Sequence, residues 1–341
     1  MKKKKHLNYD KADVKALRNG NICMGLTGEK MRFDSVEQAS IFFARELDFI
    51  KTETYDVEHP EMTALSIFPV TSEVPEGAET FTYYSYDKTG MAKIINNYAT
   101  DLPRADVKGE PVTGYVKSIG DSYGYSVQEM RASRMTGKSL DVRKGESAKY
   151  AADYLTNKIA WVGDKKHKLV GILSPDNDIP KYVPSTVMVD GVAHTEFSYK
   201  NADQILDDIN GMQKYVAQIT KNVEKPDTLV LPSNIYIDLS TRRIPDTDTT
   251  VLKFIMDNAP YLKEIREANE LQAESTDINP SGMNIGLLFT NSEKKLSLEI
   301  PMHFYQYPLQ EKGLEIEIPC EERVAGMVIY YPLSALIVEG I

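Results

Sequence analysis

Residues 132–139 read ASRMTGKS, a relaxed phosphate-loop pattern in which Ala132 stands where the first glycine belongs and Gly137, Lys138 and Ser139 close the motif. In a working phosphate loop, backbone N–H groups between a buried strand and a helix cradle the phosphates, and the first glycine allows the tight turn. Here the preceding SVQEMR has a helical pattern, and Arg134 and Met135 fill the loop interior. Asp238 in IYID offers a carboxylate for magnesium, but three apolar residues before an aspartate arise often by chance. A nucleotide-binding enzyme using the loop at 132–139 is therefore an alternative whose context does not fit. The plain reading is a glycine-broken joint between two helices, with Lys138 in solvent and Ser139 capping the second helix.

The other residues that could do chemistry are scattered. His6, His59, His167, His194 and His303 lie more than five residues apart, so no helical zinc pair exists. SPDNDIP and IPDTDTT bring carboxylates close together without the spacing or glycine of a calcium loop, which predicts turn and cap roles. There is no GxSxG elbow and no GxGxxG after a strand. Cys23 and Cys320 carry no nucleophile signature and are too few for a disulfide framework, which predicts free thiols in a reducing compartment. The reading assigns no catalytic residue, no metal and no cofactor.

The elements that position these residues are those of a sizeable globular chain. At 341 residues, two domains are the soft expectation, and 42% hydrophobic residues suffice for a core. No run of about 18 apolar residues is present, and MKKKKHLNYDKADVKAL has no apolar stretch after its lysines, so neither a membrane span nor a secretory signal is expected. The net charge of −10 is uneven: residues 1–34 hold nine Lys/Arg and four Asp/Glu (+5), leaving −15 for the rest. A body that acidic is not a free-standing nucleic-acid binder.

SVEQ at Ser35 is a capping box that opens a helix to about Thr52, with Val36, Phe43, Leu47 and Ile50 on one face. From Ile67 the chain turns rich in Tyr, Thr and Val, which reads as extended arms around a polar excursion, Met91 to Tyr115, with no core face. Residues 126–136 are helical. Ala148, Ala152, Leu155, Ile159 and Val162 form a stripe that predicts a helix over 139–162, about 36 Å long. Asn201 and Gln204 cap another, buried through Ile205, Ile209, Met212, Val216 and Ile219. DTLVLP, NIGLLF, LSLEIP and LEIEIPC read as strands, TVLKFIMDNAP as a helix, and GMVIYYPLSALIVEG as closing strand. In LEIEIPC, Leu314, Ile316, Ile318 and Cys320 alternate at period two. Extended arms of this kind recover their ordering entropy only by burying surface against something, and identical neighbours are the simplest candidate.

FFARELDFIKTETYD, VPEGAETFTYYSYDKTGMAKIINNYATDLPRADVKG, SIGDSYGYSVQEMR, KIAWVGD and the closing AGMVIYYPLSALIVEGI, in this order, resemble the major capsid proteins of tailed bacteriophages, a fold shared with encapsulin shells. The resemblance implies an α+β capsid fold: an N-terminal arm at 1–50, a peripheral domain at 51–77, 119–200 and 311–341 with its spine helix at 139–162, an extended hairpin (the E-loop) at 78–118, and an axial domain at 201–310. It further implies intersubunit contacts from the E-loop, for which Met91, Lys93, Asn96, Asn97, Asp101, Arg104 and Lys108 are the candidates. The implied partners are many copies of the chain, a portal protein, a separate scaffolding protein, a decoration protein and enclosed double-stranded DNA held without sequence-specific binding. The implied location is the virion, after assembly in the host cytoplasm. An encapsulin-type compartment is the alternative within the fold. Some relatives cross-link an E-loop lysine to a late asparagine. Lys93 and Lys108 stand at the lysine's place, but no asparagine follows Asn291, so the chain departs from that chemistry.

Overall fold

The computed structural model describes residues 23–24, 30–31, 60–89, 106–136, 143–279 and 281–341. The chain divides into two units, Met1–His59 and Pro60–Ile341. In the first, β1 (Cys23–Met24) and β2 (Lys30–Met31) pair antiparallel. The helix expected from Ser35 lies outside the described residues.

The second unit opens with a single helical turn, α1 (Ala64–Ile67), and a short strand, β3 (Val70–Thr71). Three ten-residue strands follow: β4 (Thr80–Thr89), β5 (Asp106–Tyr115) and β6 (Lys117–Ser126). The latter part of the polar excursion is thus strand rather than loop, because its backbone groups pair with the Thr/Tyr-rich arm before it. Then α2 (Val127–Thr136) forms as expected, with a reciprocal cap: Glu129 N–H donates to Ser126 Oγ (3.1 Å) and Ser126 N–H to Glu129 Oε2 (3.0 Å). The residues before the glycine–lysine–serine of the phosphate-loop pattern are therefore helical, the context that motif cannot use. Gly137, Lys138 and Ser139 themselves lie outside the described residues.

The long helix α3 runs Arg143–Val162, about 30 Å at 1.5 Å per residue. It ends at Gly163, whose φ of +76° suits glycine and lets β7 (Gly163–Asp164) fold back on β8 (Leu169–Val170). Its buried stripe is not quite the one expected. Ala148, Ala152 and Ile159 are buried, but Leu155 is 41% exposed and Thr156 and Asn157 take the inward positions. Both find polar partners there, described below.

Short strands β9 (Lys181–Tyr182), β10 (Val187–Val189) and β11 (Val192–His194) precede α4 (Ala202–Ile219). Its capping box between Asn201 and Gln204 is formed, and Ile205, Ile209, Met212 and Val216 are buried, while Ile219 faces solvent. A fully buried strand, β12 (Thr228–Pro232), runs straight into α5 (Ser233–Thr241), and α6 (Val251–Asn258) follows from a Thr250 cap. Asp238 therefore sits on a helix, paired with Arg242 (3.3 Å), and not at a strand end where a magnesium carboxylate would be presented.

The remaining elements are strands: β13 (Glu264–Ala268), β14 (Ile285–Phe289), β15 (Leu296–Glu299), β16 (Met302–Gln306), β17 (Gln310–Lys312), β18 (Glu315–Val324), β19 (Gly326–Ile329) and β20 (Ala335–Glu339). The closing segment is two strands in two different sheets, because Pro332 opens a 3-10 turn between them. One five-stranded sheet runs β13-β12-β14-β20-β9 and another β3-β15-β19-β8-β7. In the first sheet the period of two separates two cores. Leu229, Leu231, Leu288, Leu336 and Val338 face one side, where α4, α5 and α6 cover them. Val230, Leu287, Phe289, Ala335 and Ile337 face the other, toward Phe68, Ile159, Trp161 and the second sheet. Phe68 packs edge-on against Trp161 (5.0 Å between centroids) and tilted against Phe289 (5.6 Å). A third sheet pairs β18 with β6 over ten residues, Glu315↔Ser126 to Val324↔Lys117, and with β16 and β17 on its other edge. In β18 the inward residues are Cys320, Glu322 and Val324, while Leu314, expected inside, is 78% exposed just before the strand.

Candidate intersubunit interface

Among the described residues, strands β4 and β5 pair only with each other, in register from Thr80↔Tyr115 to Thr89↔Asp106. Ten residues at about 3.3 Å each make a ribbon roughly 33 Å long, with no described strand on either edge. Two-stranded ribbons are marginal alone in water, and open edges template pairing with another chain.

The root of this ribbon is held firmly. Val116 is buried and its N–H donates to Glu79 O (2.9 Å). Arg323, from β18, donates to the carbonyls of Glu76 and of Ala78 (2.9 Å for the latter). Tyr83 stacks edge-on against Tyr330 (5.0 Å) and points its hydroxyl at Ile329 O (3.4 Å). Burial raises both phenols above their ordinary value, so they remain protonated donors. Lys168 lies over the Tyr115 ring, 5.0 Å from its centroid.

Because directly opposed residues share a face, the ribbon has two distinct sides. Phe81, Tyr83, Val112 and Gly114 line a cleft of about 700 Å³ against Met327 and Tyr330. Thr82, Tyr84 and Tyr86, with Thr113, Pro111 and Gly109 opposite, form the other side. There Thr82 and Thr113 share a hydroxyl hydrogen bond (3.1 Å), and Tyr84 and Tyr86 stack (6.1 Å) while 60% and 65% exposed. Two glycines answer two aromatic rings across the strands. A β-carbon on Gly109 would come within 2.7 Å of the Tyr86 ring, and one on Gly114 would collide with the Phe81 ring.

Of the expected contact residues, Met91, Lys93, Asn96, Asn97, Asp101 and Arg104 lie outside the described residues, and Lys108 is placed in β5 opposite Asp87. The exposed aromatic pair Tyr84 and Tyr86 was not singled out in the sequence. Its signal was there, two tyrosines at period two in a strand with small partners, but alternation alone does not say which face is outward.

Polar clusters elsewhere are structural. His167 bonds Asp164 (2.6 Å), His194 stacks on Tyr199 (4.0 Å) and His303 is exposed in β16. Among the described residues no group of three or more His, Cys, Asp or Glu could hold a metal ion. Cys320 is a free buried thiol that burial raises above its ordinary value. Asp178 and Asp246, in the two carboxylate-rich segments, occupy left-handed turn positions (φ 54° and 62°). No helix among the described residues is long and apolar enough to cross a membrane. Glu270 is the most connected buried carboxylate. It accepts from Thr63 N–H (3.0 Å), Thr63 Oγ1 (2.7 Å) and Asn157 Nδ2 (2.8 Å), while Asn157 Oδ1 accepts from Ala64 N–H (2.9 Å). This knot joins the start of the second unit, the long helix and the turn after β13.

Residues 90–341 match the family model described as "Major capsid protein". No curated protein sequence matches the chain. Among solved structures, the capsid of Myoviridae phage XM1 superposes with a TM-score of 0.72 at 15% identity, covering 87% of this chain and 98% of that one. A Mycobacterium phage Bobi structure gives 0.58 at 15% identity, covering 89% and 98%. The capsid of a native GTA particle computed with C5 symmetry gives 0.59 at 10% identity, covering 90% and 99%. At such identities the likeness is one of fold, and the matching family is one of capsid proteins rather than of cargo compartments.

Proposed function

The chain belongs to the major capsid protein family, and on that premise we propose that many copies of it close into the icosahedral head shell of a tailed bacteriophage around double-stranded DNA. The observation that carries this reading is the β4–β5 ribbon: long, unpaired at both edges among the described residues, anchored at its root and aromatic on its exposed face. Within the proposal, the segment 78–118 is the E-loop and drapes over a neighbouring subunit. Residues 1–50 form an arm along neighbours, α3 is the spine of the peripheral domain, and residues 201–310 meet their copies around five-fold and six-fold axes as pentamers and hexamers. Met91, Lys93, Asn96, Asn97, Asp101, Arg104 and Lys108 extend the ribbon's contact. A net charge of −10 per subunit suits a container that does not clamp its contents, since phosphate neutralisation would immobilise the DNA. Assembly in the host cytoplasm with separate scaffolding, portal and decoration proteins completes the reading.

The test is sedimentation and electron microscopy of the purified chain across salt and protein concentration. Wild-type protein is expected to form closed shells. The Tyr84→Ser/Tyr86→Ser variant is expected to keep its thermal stability and lose shell closure, because both rings are exposed in the single subunit. A wild-type chain that stays monomeric under all conditions overturns the proposal.

A further inference from the structure

Glu322 is 3% exposed in the middle of β18, on the face that packs against α3. Its Oε1 accepts from Thr156 Oγ1 (3.0 Å), whereas its Oε2 is buried without a hydrogen-bond partner. A buried ionised carboxylate with one oxygen that no protein group bonds is costly, and the neutral acid is far less so. Beyond the Thr156 hydroxyl and the charge of the exposed Lys149, the described surroundings offer no opposing group. From α3 the facing groups are Asp153, one turn before Thr156, and Lys149, one turn earlier still and exposed. From β6 the residue opposite is Ile119, with Lys117 and Asp121 two positions away on the same face, both exposed. From β16 the bulge between Met302 and Tyr305 carries His303, also exposed. No salt bridge reaches Glu322 among the described residues.

We propose that Glu322 is a proton-dependent latch between the long helix and the long sheet: as the neutral acid it lets α3 rest on β18, and once ionised it drives the two apart. Burial pushes the Glu322 carboxyl above its ordinary value; the Thr156 hydroxyl and the Lys149 charge oppose this, and Asp153 adds to it. Asp153 is itself raised by burial, opposed by Lys149. The folded chain therefore keeps a proton that the unfolded chain has released. Stability is complete below the unfolded value and falls as pH climbs through the folded one. The carboxylates lowered by their partners, such as Asp164 and Glu317, act on the acid side of their ordinary value and leave this window clear. The latch is independent of what the assembled protein encloses.

The experiment is urea unfolding of the full chain at one fixed low concentration from pH 5 to pH 9. The fluorescence of Trp161, its single tryptophan and fully buried in the last turn of the same helix, is the readout. Wild type is expected to lose stability with rising pH, toward a limiting slope of about tenfold in the unfolding equilibrium constant per pH unit. Glu322→Gln, which keeps the shape and cannot ionise, is expected to flatten that slope and to exceed wild type at the alkaline end. Asp153→Asn removes only the neighbouring charge and so lowers the folded value of Glu322, which makes its decline end at lower pH and smaller in total. A Glu322→Gln profile parallel to wild type overturns the latch. If that variant does not fold, an Asp153→Asn profile identical to wild type overturns it equally.

Discussion

Glu270 shows how much a single side chain can hold in this protein. It has no cation partner among the described residues, and three neutral donors satisfy it instead. Two of those donors, Thr63 and Asn157, belong to segments 94 positions apart in the chain (157 − 63). Truncation to alanine leaves the Thr63 N–H and the Asn157 amide buried without an acceptor, at about 1–3 kcal/mol for each group. Glu270→Ala is therefore expected to cost about 3 kcal/mol of unfolding free energy, measured as a lower urea midpoint with an unchanged slope. Lys200 and Asp208 form the other deep pair, 2.6 Å apart with both side chains buried, and Asp208 also accepts from Ser185 N–H (2.9 Å). A buried pair so fully bonded fixes the approach to α4 more than it adds net stability.

At the scale of elements, the ribbon depends on its glycines as much as on its tyrosines. Gly114→Val places a branched side chain under the Phe81 ring, and the two strands cannot keep both groups on one face. The expected result is faster amide hydrogen exchange along residues 80–89 and 106–115, while the exchange of β12 and β14 is unchanged. Equal protection of the ribbon in variant and wild type would contradict the clamp. Elements fixed by local chemistry were legible from sequence alone. The Asn201–Gln204 cap, the Gly163 stop and the alternating buried strands are each written within a few residues. What was not legible was set by distant partners. Thr156 displaces Leu155 from the buried stripe because Glu322, 166 positions later, gives its hydroxyl a partner. The helix α5 was not read from the sequence, and the ribbon's second strand was read as loop because its partner is separated by sixteen residues, 90–105.

At the largest scale, the unit Pro60–Ile341 is built on a sheet that divides two cores, with a second sheet and a long helix–sheet layer bearing on one of them. Among the described residues, the ribbon leaves Tyr84 and Tyr86 exposed and has no strand on either edge. The most direct test of that account is a cryo-electron-microscopy reconstruction of the assembled particle. It is expected to show a closed shell in which residues 80–115 of each copy lie on an adjacent copy, with Tyr84 and Tyr86 in the contact. A shell in which that ribbon touches only its own chain, and both rings stay in solvent, would contradict it.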